Sequence, residues 1–265
     1  MAGEWSNRGA KRAREARAEL GYARAGPLPD VLEAIEGRGG AHVLLLDLPP
    51  LVAGAFIPRT GLPLLLVNGR QALARQRFTL AHEFGHRRMG HTSVVDEQPA
   101  ISGRLTDDRD EVSANAFAAE FLMPRDAVAA WGAEHVHAAV TLEHVLLLAH
   151  EYGVSAQAAR YALATAGVLR DRRRARQLDA EIAAELHFGL ARWLGLQPLE
   201  DGLAEAATAL PRIPSALREN ALGDLLAGAI GVAELARRIG ADPDTVGAML
   251  RALGLDRLVP VARAG

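Results

Sequence analysis

The sequence predicts an α+β fold: a small mixed or antiparallel sheet packed with helices, followed by an all-helical C-terminal region with helix-turn-helix-like units. Three observations predict it. The runs "AHVLLLDL", "LVAGAFIP" and "LPLLLVNG" are short, apolar and separated by Pro and Gly, as expected of strands joined by tight turns. Helical spacing then takes over from Gln71 to Arg88 and again in "RDEVSANAFAAEFLM". Beyond Pro124 the pattern stays helical to the end.

Taken in order, Gly9 to Leu20 is rich in Ala, Arg and Glu and suits a helix with a charged face. "GPLPD" punctuates it before a second helix near Val31 to Glu36. The three strands follow "GRGG", with "RTG" between Pro58 and Leu62 placed to close a hairpin. On the helix from Gln71, Leu73, Leu80, Ala81 and Phe84 fall along one stripe. The segment "TSVVDEQPAISGRLTDD" reads as a polar loop, and Pro124 stops the helix after it. "TLEHVLLLAHEYGVSAQAARYALATAG" and "GVAELARRIGADPDTVGAMLRALGL" each pair two amphipathic helices across a Gly-containing turn. These signals divide the chain into residues 1–130, 131–170 and 171–265.

Composition narrows the function classes. The 265 residues are 49% hydrophobic and 23% charged, and no apolar run approaches the roughly 18 residues that span a bilayer. The N-terminus is basic but lacks the apolar core of a secretory signal, so a cytoplasmic location without membrane association is expected. There is no cysteine, which removes disulfides, thiol catalysis and zinc–thiolate sites; a metal would need His and carboxylate ligands. A net charge of −2 gives no global basic field. The local clusters "KRAREAR" and "RDRRRAR" read as solvated helix surface or linker.

The stretch Arg75 to His91, "RQRFTLAHEFGHRRMGH", carries the chemistry. His82 and His86 are four apart, so both imidazoles leave one face of a helix and reach a single ion. Glu83 is rotated about 100° from His82, which aims its carboxylate at a water on that ion. Such a set performs metal-assisted amide hydrolysis. A catalytic zinc takes three protein ligands. His91 does not fit the metzincin pattern, which would place a Gly three and a His six residues after His86, where this chain has Met89 and Thr92; it is expected on the surface or beside the ligands. Glu111 lies at the end of a small, apolar stripe with Ala114, Asn115, Ala118 and Leu122. Its spacing leaves two readings open: a buried ligand, or a carboxylate that opens a helix together with Asp107, Asp108 and Asp110.

The "VNG" at Val67 to Gly69, "RQRFTLAHEFGH" and "EVSANAFAAEFLMP" at Glu111 to Pro124 resemble the ImmA/IrrE family of zinc metallopeptidases. The resemblance implies zincin-type active-site helices, His82, His86 and Glu111 as metal ligands, and Glu83 as catalytic base. It implies Zn²⁺, with Mn²⁺ as the alternative metal, and a cytoplasmic protein substrate of the helix-turn-helix repressor type, cut in a stress or mobile-element response. Asn115 matches the family's Asn/Asp position and is expected to hold a ligand in place from behind. The chain departs from relatives that carry an N-terminal DNA-binding domain or a GAF-like C-terminal sensor. The "LPLLLVN" strand is expected beside the cleft, pairing with substrate backbone.

The competing class is a DNA- or protein-binding regulator that keeps the peptidase shell without turnover. Direct DNA binding is disfavoured: the distal unit places Asp242 and Asp244 where phosphate would lie, and Asp179 onward holds 12 acidic against 8 basic residues. Helical packing or partner docking fits both units better. Sequence does not rank Tyr22, Tyr152, Tyr161, His91 and the nearby arginines as oxyanion donors; Arg75 and Arg77 read first as packing or ion-pair residues.

Overall fold

The computed structural model describes residues 2–22, 26–46, 48–57, 63–91, 94–97, 108–196, 221–239 and 242–252. Helix α1 runs Ala2–Glu19, starting earlier than its composition suggests. Its first turn is held by tertiary contact, since the Arg109 guanidinium lies over the Trp5 ring, 5.4 Å from its centroid, as does that of Arg8 at 5.6 Å. Helix α2, Val31–Glu33, opens on Asp30, whose side chain accepts from the Glu33 N–H, and widens into a π-turn over Ala34–Arg38.

Strands β1 (His42–Leu46), β2 (Val52–Ile57), β3 (Leu64–Asn68) and β4 (Val94–Glu97) form one sheet in the order β1-β3-β2-β4. It is mixed: β1 and β3 are parallel, and the other two pairs are antiparallel. The predicted "RTG" turn lies outside the described residues, but β2 and β3 on either side of it do pair antiparallel, from Gly54 opposite Val67 to Ile57 opposite Leu64. Two expectations change. The segment read wholly as a polar loop contains β4, whose two valines give too weak a pattern; its pairing with β2 comes from the register Phe56–Val94 and Ala55–Val95. And β3 is no free edge beside a cleft, because it is bonded to β1 on one side and β2 on the other. The edges among the described strands are β1 and β4.

Side chains alternate across this sheet. Val43, Phe56, Leu65 and Val67 join Leu80, Ala81 and Phe84 of helix α3 (Leu73–Met89) in the main core. Leu44, Leu46, Ala55, Ile57, Leu64 and Leu66 face the other way, into a second cluster shared with Leu225, Leu235, Ala236, Val246 and Leu250. Burial on both faces explains why the strands read as continuous apolar runs rather than as an alternation. The stripe predicted on α3 holds for Leu80, Ala81 and Phe84, whereas Leu73, in its first turn, is 42% exposed.

Helix α4 (Arg109–Leu122) packs on α3 and α1. Then come α5 (Arg125–His135), α6 (Leu142–Tyr152), α7 (Ala156–Thr165), α8 (Arg172–Ala183) and α9 (Leu186–Trp193), and, after an undescribed stretch, α10 (Ala221–Leu226), α11 (Val232–Ile239) and α12 (Pro243–Ala252). The proximal helix pair has its turn where expected: Thr141 and His144 form a capping box, Gly153 adopts φ 65°, and Ser155 caps α7. The polar residues of α7 that would meet a nucleic acid, Gln157 and Arg160, are both bound to Asp179 of α8. Val145, Leu148, Tyr152 and Leu163 belong to the same core as α1, α3 and α4. No described helix is long and apolar enough to cross a membrane.

Candidate metal centre

The start of α3 has no side-chain cap at Ala72, so the chain is anchored from both sides. The Asn68 amide donates to the carbonyls of Leu48, Pro49 and Val52, while its Oδ1 accepts from the Arg70 N–H. The Gln76 amide reaches back to the carbonyls of Gly69 and Gln71. The "VNG" stretch is therefore the knot that ties the end of β3 to the β1–β2 turn and aims α3. At its other end α3 closes on Gly90, φ 72°, with the Gly90 N–H on the Arg87 carbonyl and the His91 N–H on that of His86, a Schellman turn that only a residue tolerant of positive φ completes easily.

Helix α4 is capped by Asp108, whose carboxylate accepts from the Asp110 N–H at 2.9 Å. With the cap filled, Glu111 can turn inward, and it does: it is buried, with Oε2 3.4 Å from His82 Nε2 and Oε1 3.2 Å from His86 Nε2. The two histidine Nε2 atoms are 3.0 Å apart. Close approach of the helices makes this meeting possible. A Cβ on Gly85 would stand 3.0 Å from the Phe117 ring, and Phe84, Phe117 and Phe121 pack as a ring cluster beside it.

Among the described residues, His82, His86 and Glu111 are the group able to hold a metal ion. Bonds of about 2.0–2.1 Å at a tetrahedral angle place zinc ligand atoms about 3.3 Å apart, and the three separations observed bracket that value. Two imidazole nitrogens and a carboxylate also form a donor set suited to zinc. Burial alone would push the Glu111 carboxyl up, but hydrogen bonds from His82 and His86, and their charge, outweigh it and hold the group well below the ordinary carboxylate range.

Residues 40–164 match the peptidase M78 family model, described as the IrrE N-terminal-like domain. Over this span the chain is similar to an IrrE N-terminal-like domain. No curated protein matches the chain. The cluster of His82, His86 and Glu111 lies inside the matched span, and so does Glu83, which is fully buried one residue after His82. Helix α1 precedes the matched span yet packs closely on α4. Gly9 sits so close to α4 that a Cβ there would be 2.0 Å from the Ser113 carbonyl oxygen, and buried Arg17 donates to the Phe121 carbonyl near the end of α4 and to that of Gly26.

Sequence reading missed Gly54. A Cβ at this position of β2 would lie 2.7 Å from Glu83 Oε1, 2.6 Å from Thr79 Cγ2 and 2.7 Å from the Leu66 carbonyl oxygen, so the bare glycine makes the space that the Glu83 carboxylate uses. The available signal was a glycine inside an apolar strand, which marks close approach as often as a break. His91 is buried on the far side of the His86 ring from the ligand cluster, Nδ1 to Nδ1 at 3.0 Å. Burial and the His86 charge push its imidazole down, against an upward pull from Asp110. Asn115 is half-buried one turn beyond Glu111. The tyrosines are engaged elsewhere: Tyr22 under Arg38, Tyr152 in the core beside Arg77, Tyr161 against Arg160. Arg77 is a packing residue, donating to the carbonyls of Leu28 and Tyr152.

Proposed function

We propose that this chain is a zinc-dependent endopeptidase that acts in the cytoplasm on a helix-turn-helix transcriptional repressor, in a stress or mobile-element response. The observation that carries the catalytic part is the buried triangle of His82, His86 and Glu111, with a second buried carboxylate, Glu83, one residue after His82. The family likeness supports the substrate class.

Zinc bound by His82, His86 and Glu111, or manganese in its place, supplies the positive charge that acidifies water and polarises a carbonyl. The chain's own residues do the rest. Glu83 takes the proton from the attacking water and passes it to the leaving amine. Gly54 keeps the floor beneath Glu83 open, and Thr79 packs there. Asn115 steadies a ligand from the next turn of α4.

Metal analysis tests the reading directly. The wild-type chain is expected to carry about one zinc, His86→Ala to lose it, and Glu83→Gln to keep it while losing peptide cleavage. An empty wild-type chain after zinc loading contradicts the proposal.

A further inference from the structure

The Schellman turn at Gly90 brings the chain back along α3 and lays His91 against His86. The rings meet edge to face, 5.0 Å between centroids at 72°, with His91 only 7% exposed. The next contact outward is Asp110, whose Oδ1 is 3.2 Å from His91 Nε2. Asp110 is half-exposed on its side-chain atoms, and the two groups stand at ion-pair distance.

These distances fix a direction for the protons. A metal ion held by His86 Nε2 would take that nitrogen's lone pair, so in the loaded site the ring proton sits on Nδ1. Across 3.0 Å the His86 Nδ1–H then donates to His91 Nδ1. That leaves the His91 proton on Nε2, where it faces the Asp110 carboxylate. With His86 Nε2 given to a metal, this arrangement offers a donor to both His91 Nδ1 and the Asp110 carboxylate.

We infer that Asp110 and His91 form a relay that sets the tautomer and orientation of His86 and so tunes the affinity of the metal centre. The inference rests on the metal-centre reading above. It makes His91 a positioning residue rather than a ligand. It also gives Asp110 a role distinct from that of its neighbours, since Asp108 caps the helix and Glu111 ligates. Because His91 follows α3 while Asp110 and Glu111 share the first turn of α4, the relay clamps the two ligand-bearing helices on the side away from the ion. Partners of this kind typically change metal affinity by about 10–100-fold when removed.

Zinc affinity, measured by competition with a chromophoric chelator, and the visible absorption of the cobalt-substituted protein test this without reference to turnover. His91→Phe keeps the ring and removes both nitrogens; it is expected to weaken zinc binding by about 10–100-fold and to alter the cobalt spectrum. His91→Asn keeps an acceptor near the former Nδ1 and is expected to recover part of that loss. Asp110→Ala, at a half-exposed position that leaves folding intact, is expected to weaken binding in the same direction. Wild-type affinity and an unchanged cobalt spectrum in both His91→Phe and Asp110→Ala overturn the relay; if His91→Phe fails to fold, Asp110→Ala decides alone. A wild-type chain that takes up neither zinc nor cobalt overturns the metal centre itself, an outcome distinct from loss of the relay alone.

Discussion

Gly54 and Glu83 show how much can depend on one absent methyl group. In Gly54→Ala the new Cβ would crowd the Thr79 methyl, the Glu83 carboxylate and the Leu66 carbonyl at once. Turnover should fall by about tenfold or more, as small misplacements of reacting groups do, while zinc content stays at the wild-type level; unchanged turnover would show that Glu83 has room to spare. Glu111 gives a second test. Its folded-state pKa is depressed below the ordinary 4.5, so its contribution to the stability of the metal-free protein is present above that value and lost as pH falls through the lower folded one. Metal-free wild type should therefore lose stability more steeply than Glu111→Gln as pH falls below about 4.5, read from melting temperatures; a steeper loss in the variant would reverse the sign. At this scale the pairing of His82 with His86 was legible, because two histidines four apart share one helix face, whereas the spacing of Glu111 left it open between a buried partner and a helix opener until the fold brought it to the pair. Gly54 was not, since its meaning depends on a helix some thirty residues downstream in the chain.

Helix α1 meets α4 along Gly9, Ala13, Ala16 and Leu20, one buried face with Arg17 beside it. Its small residues let the backbones come close, and α4 carries Glu111. Gly9→Ala should cost about 1–3 kcal/mol of stability by overpacking and should weaken zinc binding as well, since the clash falls on the helix that carries Glu111. A variant with wild-type melting temperature and zinc affinity would show that α1 only lies against the domain. The helices were readable from their spacing and stops, with Pro124, Gly90 and Gly153 marking ends. Strand β4 was not: four residues with two valines have no period to read, and the pairing that defines them belongs to β2.

On the scale of the whole molecule, the sheet is the shared floor of two cores. One contains the ligand helices and the proximal helix pair; the other is closed by α10, α11 and α12. The second face was not legible, because nothing local in Leu225, Leu235, Val246 or Leu250 says which surface they cover. A chain ending at residue 196 leaves Leu44, Leu46, Leu64 and Leu66 without that cover, and a patch of this kind drives association. It is expected to aggregate or to melt well below the full chain in a thermal-shift measurement; a monodisperse product of unchanged stability would make the C-terminal helices a dispensable attachment.

The most direct test of the central claim is to compare new protein N-termini in a host-cell lysate after adding wild type or Glu83→Gln, with zinc and, separately, manganese supplied. Termini that form with wild type and not with Glu83→Gln, within a helix-turn-helix repressor, are the predicted result. No difference between the two proteins, with metal bound in both, would contradict a proteolytic role for the site.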